Sequence, residues 1–367
     1  MTDLVRRGAA VPAAPEVSVV ILVQDRLDLL LRCLDSLTRS EAAPVAEVVV
    51  VANGTPPAEL AVLLGRPDLV AVISPVNLGF AAGCNWGARF TQGRHLVLLN
   101  DDTEVEPGWL RALVQVAESD DGIGAVGSRL LNPDGTLQEA GSILWRDGGT
   151  YQVRGRSPFE AAACDRARDV DYCSACGLLV KRPAWDAVGG FDEAYFPAYH
   201  EDVDLCLTLR VHGYRTAYAP GARLRHHRGA GMSAQFRTFV AARNGRRFVA
   251  KWADQLRAFE PQPDPAHCDA AVETSIRRAE SRPAPEPGPE PPPMGWSEPS
   301  ESEALRAQAC AVAAAEGLRE QYIAWLQDGG GSARRGQSIR ILFRRFLGWL
   351  PGGRRVLAWL LRRPNGA

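Results

Sequence analysis

No apolar run in this 367-residue chain approaches the length needed to cross a bilayer. Met1 to Pro15 carries Arg6 and Arg7, but its Ala/Val/Pro stretch is too short and too interrupted for a signal h-region. No second Cys or His pair stands at zinc spacing from Cys173-Ser174-Ala175-Cys176, which favours packing over a metal knot for those two thiols. All eight cysteines are scattered through apolar segments, the usage of free thiols in a reducing compartment. A net charge of −1 gives no general affinity for nucleic acid. No internal repeat is visible. The expected location is cytoplasmic.

What is present is alternation. Val17 to Val23 is a continuous apolar run rich in β-branched residues, the mark of a strand buried on both faces. Leu27, Leu30, Leu31, Leu34 and Leu37 then form a helical stripe. Strands are predicted again at Glu47–Ala52, Val70–Ser74 and His95–Leu99, with helices at Pro57–Leu64 and Phe80–Phe90 between them. Four such alternations predict an α/β fold with a mostly parallel central sheet flanked by helices. A less regular region follows. It has short strands at Ala125–Leu131, Ile143–Trp145, Asp169–Tyr172, Gly177–Val180 and Tyr214–Ala219, and helices at Leu110–Ala117, Pro183–Val188, Asp202–Val211 and Thr238–Phe259. The chain divides into a disordered N-terminus (1–15), a main domain (16–259), a Pro-rich linker (260–300) and a helical, basic, amphipathic C-terminal segment (301–367). From Gly331 to Ala367 there are nine Arg and no Asp or Glu.

Two acidic clusters carry the chemistry. Leu96-Val97-Leu98-Leu99-Asn100-Asp101-Asp102-Thr103 is an apolar strand that ends in two carboxylates. Adjacent acids there need a cation, hydrogen-bond donors or water. Either a divalent metal carrying a phosphorylated substrate or a helix N-cap by Asp102 or Thr103 would account for them. The second cluster is His200-Glu201-Asp202-Val203-Asp204, at the start of a helix. Three acids exceed what a helix N-terminus requires, and a carboxylate beside a substrate hydroxyl is the usual general base for transfer onto that hydroxyl. His226-His227 follows a strand and precedes Arg228-Gly229.

Together these segments resemble the family 2 glycosyltransferases with the GT-A fold, especially their rhamnosyltransferase-like branch, from about Val17 to Leu256. The most specific parts are Asn77-Leu78-Gly79-Phe80-Ala81-Ala82-Gly83-Cys84-Asn85, Leu98 to Thr103, and Gly189-Gly190-Phe191-Asp192-Glu193 through Glu201-Asp202-Val203-Asp204-Leu205-Cys206 to Leu209. The resemblance implies a GT-A domain over 16–259 and an inverting, metal-dependent sugar transfer. The donor would be a nucleoside-diphosphate sugar and the acceptor a cell-surface glycan or lipid-linked hydroxyl. It makes Asp202 the catalytic base with Glu201 beside it. Asp102 becomes a ligand of Mn2+ or Mg2+, joined by His226 or His227. Donor contacts are expected from Val23, Asp25, Asn53, Asn77, Gly79, Asn85, Asn100, Asp101 and Arg243, and acceptor contacts from Gly177, Phe191, Asp192 and Tyr195. Arg243 has an equally plain reading as part of a solvated basic helix face with Arg246 and Arg247.

The chain departs from the family pattern at one strand end. Where the family carries a base-contacting Asp, this sequence has Val50-Val51-Ala52-Asn53, and Asp25 on the neighbouring strand end could replace the lost acid. That gap supports a rival reading as a non-catalytic nucleotide- or glycan-binding module. The intact acids at Asp102 and Asp202 argue for an enzyme. The C-terminal segment, with Phe343, Phe346, Trp349 and Trp359 at helical spacing among Arg residues, suits an interfacial helix on anionic lipid or a helical hairpin docked on protein.

Overall fold

The computed structural model describes residues 5–40, 44–228, 232–264, 267–281 and 301–327. Its strands are β1 (Val5–Arg7), β2 (Val17–Val23), β3 (Ala46–Asn53), β4 (Leu69–Ser74), β5 (His95–Asn100), β6 (Thr103–Val105), β7 (Ile123–Leu131), β8 (Leu137–Ala140), β9 (Ser142–Leu144), β10 (Thr150–Gln152), β11 (Arg168–Val170), β12 (Gly177–Lys181) and β13 (Arg215–His226). Its helices are α1 (Leu27–Ser40), α2 (Pro57–Leu64), α3 (Phe80–Ala88), α4 (Trp109–Ala117), α5 (Pro158–Cys164), α6 (Arg182–Val188), α7 (Glu201–Val211), α8 (Ala234–Leu256), α9 (Cys268–Glu280) and α10 (Glu301–Gln327).

One sheet runs in the order β1-β4-β3-β2-β5-β12-β7-β13-β11. The strands from β4 to β5 are parallel, as the alternation of strand and helix dictates. Beyond them β12 enters antiparallel between β5 and β7, so the sheet as a whole is mixed. Successive residues of the central strands feed opposite cores. Val20, Val49, Val51, Leu96 and Leu98 pack with Cys84 and Trp86 of α3 and Leu205 of α7. Val19, Ile21, Val50, Val97 and Leu99 pack with Leu30 and Leu34 of α1 and Trp109 and Leu113 of α4. Each such side chain contributes roughly 1.5–3 kcal/mol on burial, which fixes the strand ends that carry the polar residues.

Three expectations need correction. Ordering begins before Val17: β1 pairs antiparallel with β4, and Arg7 lies 3.0 Å from Glu47, a fully buried carboxylate. The presumed linker contains α9, whose Val272, Ile276 and Ala279 are buried and whose Arg278 bridges Asp171 and Glu260. The Pro-dense composition misleads there because residues 268–280 contain no proline. Finally, β13 continues past Ala219 to His226. Pro220-Gly221 reads as a stop, but the sheet absorbs it as a register shift between Ala219 and Arg223 opposite β7. Residues 328–367, including the basic tail, lie outside the described residues.

Candidate active site

The extension of β13 builds the first half of the site. Its last three residues pair antiparallel with β6, placing His226 opposite Thr103, one residue after Asp102. His226 Nε2 lies 3.3 Å from Asp102 Oδ1, and His226 Nδ1 lies 3.1 Å from Gln138 Nε2. The His227 ring instead sits 2.8 Å from Glu104, while its backbone N–H donates to Asp102 O at 2.8 Å, so only the His226 side chain faces the Asp102 carboxylate. The capping alternative for Asp102 falls away, because α4 begins at Trp109 behind a left-handed Gly108 with no side-chain cap. Burial first, and then the Asp102 charge, push Asp101 up to about 8. Asp101 is thus held against ionisation by its burial and by its acidic neighbour.

The second half comes from the start of α7. Its N-cap His200 makes no side-chain cap, and the three acids of the first turn take different roles. Asp204 is fully engaged by Tyr195 Oη (2.9 Å), Trp252 Nε1 (2.7 Å) and Lys251 Nζ (2.8 Å), so it is structural. Asp202 faces a cavity of about 560 Å³. It accepts from its neighbour Val203 N–H at 2.9 Å and from Ala175 N–H at 3.4 Å. Burial raises Asp202 against the lowering effect of those amides. Glu201 is raised further, by burial first and then by the Asp202 charge.

Asp102, His226, Asn100, Glu201 and Asp202 therefore line one cavity. A smaller cleft of about 240 Å³ adjoins it, and Phe80, Asp102 and Ala198 line both. Val23, Asp25, Asn53, Asn77, Gly79 and Asp101 line this smaller cleft. Its floor is rigid. Asn53 donates to Asn77 Oδ1 and Gly79 O and accepts from Leu78 N–H, so its amide is committed to the loop. Gly79 has a φ of +79°, and a Cβ there would meet the Phe196 ring at 2.7 Å. Asp25 is exposed at the rim.

Other expected site residues do structural work. Asn85 exchanges hydrogen bonds with the Phe191 backbone and reaches Glu193, pinning the Gly189-Gly190 turn instead of facing the donor cleft. Arg243 is bound to Phe196 O, Asn244 Oδ1 and Gln321 and lines neither cavity. The four expected acceptor contacts also lie elsewhere. Gly177 is inside β12 with its carbonyl on Ser128, Phe191 packs on Trp185, Asp192 pairs with Lys251, and Tyr195 is fully buried against Asp204. Sequence reasoning missed the residues that do form the walls: Gln138, Glu139, Thr150, Gln152, Tyr172, Ser174, Arg228 and Arg237. Only Arg228, directly after the His pair, carried a local signal. The Cys173-to-Cys176 segment packs through its thiols, as expected, and also presents the Ser174 and Ala175 amides to the cavity.

This arrangement, a mixed sheet whose strand ends open on a bipartite polar cleft, is the GT-A architecture. The crystal structure of GalNAc-T7 with UDP, GalNAc and Mn2+ superposes on 67% of this chain and 49% of its own, with a TM-score of 0.54 at 16% identity. The family profile described as "Glycosyltransferase like family 2" matches residues 14–247, and the chain belongs to that family of glycosyltransferases. Over 235 residues it is 34% identical to the O-antigen biosynthesis protein RfbC of Myxococcus xanthus, covering 61% of this chain and 18% of that protein. It is 29% identical over 221 residues to the N-acetylglucosaminyl-diphospho-decaprenol L-rhamnosyltransferase of Mycobacterium tuberculosis, covering 54% of this chain and 71% of the relative. The chain thus spans less than a fifth of the length of the Myxococcus protein.

Proposed function

We propose that this glycosyltransferase is inverting and metal-dependent, moving a sugar from a nucleoside-diphosphate donor to a hydroxyl of a cell-surface glycan or lipid-linked acceptor. The observation that carries the reading is the placing of Asp202 and the Asp102–His226 pair on one cavity that runs into the smaller cleft. The nucleoside lies in the smaller cleft and the diphosphate passes Asp102 into the larger one. Arg228 and Arg237 rim that cavity and replace Arg243 as the cations for the diphosphate.

Among the described residues no three His, Cys, Asp or Glu side chains converge as a closed metal site. A catalytic metal keeps open positions for substrate, so two protein ligands suffice where phosphate oxygens and water complete the shell. Asp102 and His226 fit that requirement for Mn2+ or Mg2+. Turning the Gln138 amide over would let its oxygen accept from His226 Nδ1–H and free Nε2 for a cation, and Gln138 Oε1 has no partner among the described residues. The bound ion would neutralise charge growing on the diphosphate.

The protein groups then act as follows. Asp202 accepts the proton of the acceptor hydroxyl as that oxygen forms a bond to the anomeric carbon. The bond from that carbon to the donor phosphate oxygen breaks on the opposite face, and its electron pair leaves with the nucleoside diphosphate. Arg228 and Arg237 hold the departing charge. The test is a donor-hydrolysis screen of uridine, thymidine and guanosine diphosphate sugars with Mn2+ or Mg2+. At least one donor should release its nucleoside diphosphate, excess chelator should stop the release, and added metal should restore it. Full turnover in excess chelator would exclude the metal.

A further inference from the structure

Glu139 is a buried carboxylate held by two neutral donors and facing the larger cavity. It is 1% exposed on β8, yet it lines the larger cavity, and among the described residues it has no Lys or Arg partner. Its Oε1 accepts from Ser174 N–H at 3.1 Å and its Oε2 from Gln152 Nε2 at 3.1 Å. Burying an acid without a cation is costly, and such groups concentrate at functional sites. Burial pushes Glu139 up to about 7, with the Asp202 charge adding to it.

The position of Glu139 relative to Asp202 is specific. Ser174 N–H holds Glu139 and the next amide, Ala175 N–H, holds Asp202. Two acids from β8 and α7 are thus held one residue apart on the same wall. Ring hydroxyls on neighbouring carbons of a sugar are also close-set, and each can donate to one carboxylate. A second observation points to an absent hydrogen-bond partner. Glu201, 6% exposed and lining the same cavity, has its Oε2 without a partner among the described residues. The wall around Asp202 is rich in carboxyl groups, which can accept from or donate to a polyhydroxylated ligand. Attack comes from the face opposite the leaving diphosphate, so the side of Asp202 away from Asp102 is the acceptor side. Glu139 lines only the larger cavity and takes no part in the smaller cleft.

We propose that Glu139 is an acceptor-binding residue that takes the hydroxyl beside the attacked one, so that the acceptor is a sugar ring with two neighbouring free hydroxyls. This rests on Asp202 being the base of a sugar transfer. It replaces the acceptor contacts expected at Gly177, Phe191, Asp192 and Tyr195.

The experiment uses the full chain, a donor found by the hydrolysis screen, and octyl pyranosides of glucose, galactose, mannose, rhamnose and N-acetylglucosamine as acceptor probes. Monodeoxy analogues of the best probe then map its hydroxyls. The wild type should lose up to about tenfold in kcat/KM for the analogue lacking the hydroxyl beside the new linkage, the upper end of the size expected for one hydrogen bond. Glu139→Gln should raise the KM of the intact acceptor by a similar factor, leave the donor KM in place, and show no further penalty for that deoxy analogue. Glu139→Asp should recover part of the discrimination. A deoxy penalty that persists undiminished in Glu139→Gln would overturn the assignment, as would a raised donor KM, which would put Glu139 on the donor sugar. Failure of every octyl glycoside to accept, with donor hydrolysis intact, would also overturn it. Absence of hydrolysis with all donors would instead sink the transferase reading on which it rests.

Discussion

Asp202 shows how burial and hydrogen bonding set one residue's work. Burial lifts its carboxyl above the ordinary 3.8, and the two amides keep it oriented toward the cavity. A base must be unprotonated, so turnover should fall as pH drops through that raised value, at a higher pH than an exposed Asp would give. Asp202→Asn retains an oxygen for Val203 N–H and should lower kcat about 10²- to 10⁴-fold, the usual worth of a general base, with nucleoside diphosphate affinity held. Near-normal turnover of that variant would disprove the role. Asp25 makes a separate case at the rim of the smaller cleft, where Ala52 leaves the neighbouring strand end without an acid. Asp25→Ala should weaken nucleoside diphosphate binding up to about tenfold, the scale of one hydrogen bond. Calorimetry finding unchanged affinity would leave base recognition to other groups. Asp102 and Asp202 were legible in the sequence because acids at a strand end and a helix start contradict the apolar segments they join. Glu139 was not, since an acid in a short strand reads as solvent-facing until the tertiary fold covers it.

The loop from Tyr195 to His200 leads into Glu201 and Asp202, and Asn244 of α8 holds it. Its Nδ2 lies 2.7 Å from Tyr195 O, 2.9 Å from Ala198 O and 3.1 Å from Tyr199 O, and Asn244 is fully buried. Tyr199 and His200 both have positive φ, near +78° and +73°, a conformation that surrounding contacts must enforce. Asn244→Ala takes the donor from the buried Tyr195 carbonyl and from the half-buried Ala198 and Tyr199 carbonyls, and should cost about 1–3 kcal/mol of stability. Turnover should drop with it as the approach to Glu201 and Asp202 loosens. An unchanged urea midpoint would show that other contacts hold the loop. Arg243 adds a guanidinium to Phe196 O, which explains why Arg243-Asn244 looks like a functional pair in the sequence while touching no cavity. Elements of regular period were the readable ones: α2 falls on Pro57–Leu64 as predicted. The β13 extension escaped because its Pro220-Gly221 imitates a chain reversal, and α9 because the prolines that follow it dominate the local composition.

At the scale of the whole molecule, the open matter is where the catalytic domain works. No helix among the described residues is long and apolar enough to cross a membrane. Residues 331–367 supply a means of approach in sequence terms alone: nine Arg, no acid, and Phe343, Phe346, Trp349 and Trp359 at helical spacing. Aromatic residues seat in the headgroup layer and each nearby Arg adds about 1 kcal/mol on an anionic surface, an attraction that salt weakens. A protein so held would be peripheral, with the larger cavity near the lipid surface. The full chain should therefore sediment with anionic vesicles at low salt and release as salt rises. A chain ending at Asp328 should stay in the supernatant, while both forms hydrolyse donor at equal rates because Asp102, His226 and Asp202 are untouched. Equal sedimentation of the two forms would rule out the tail as a membrane anchor.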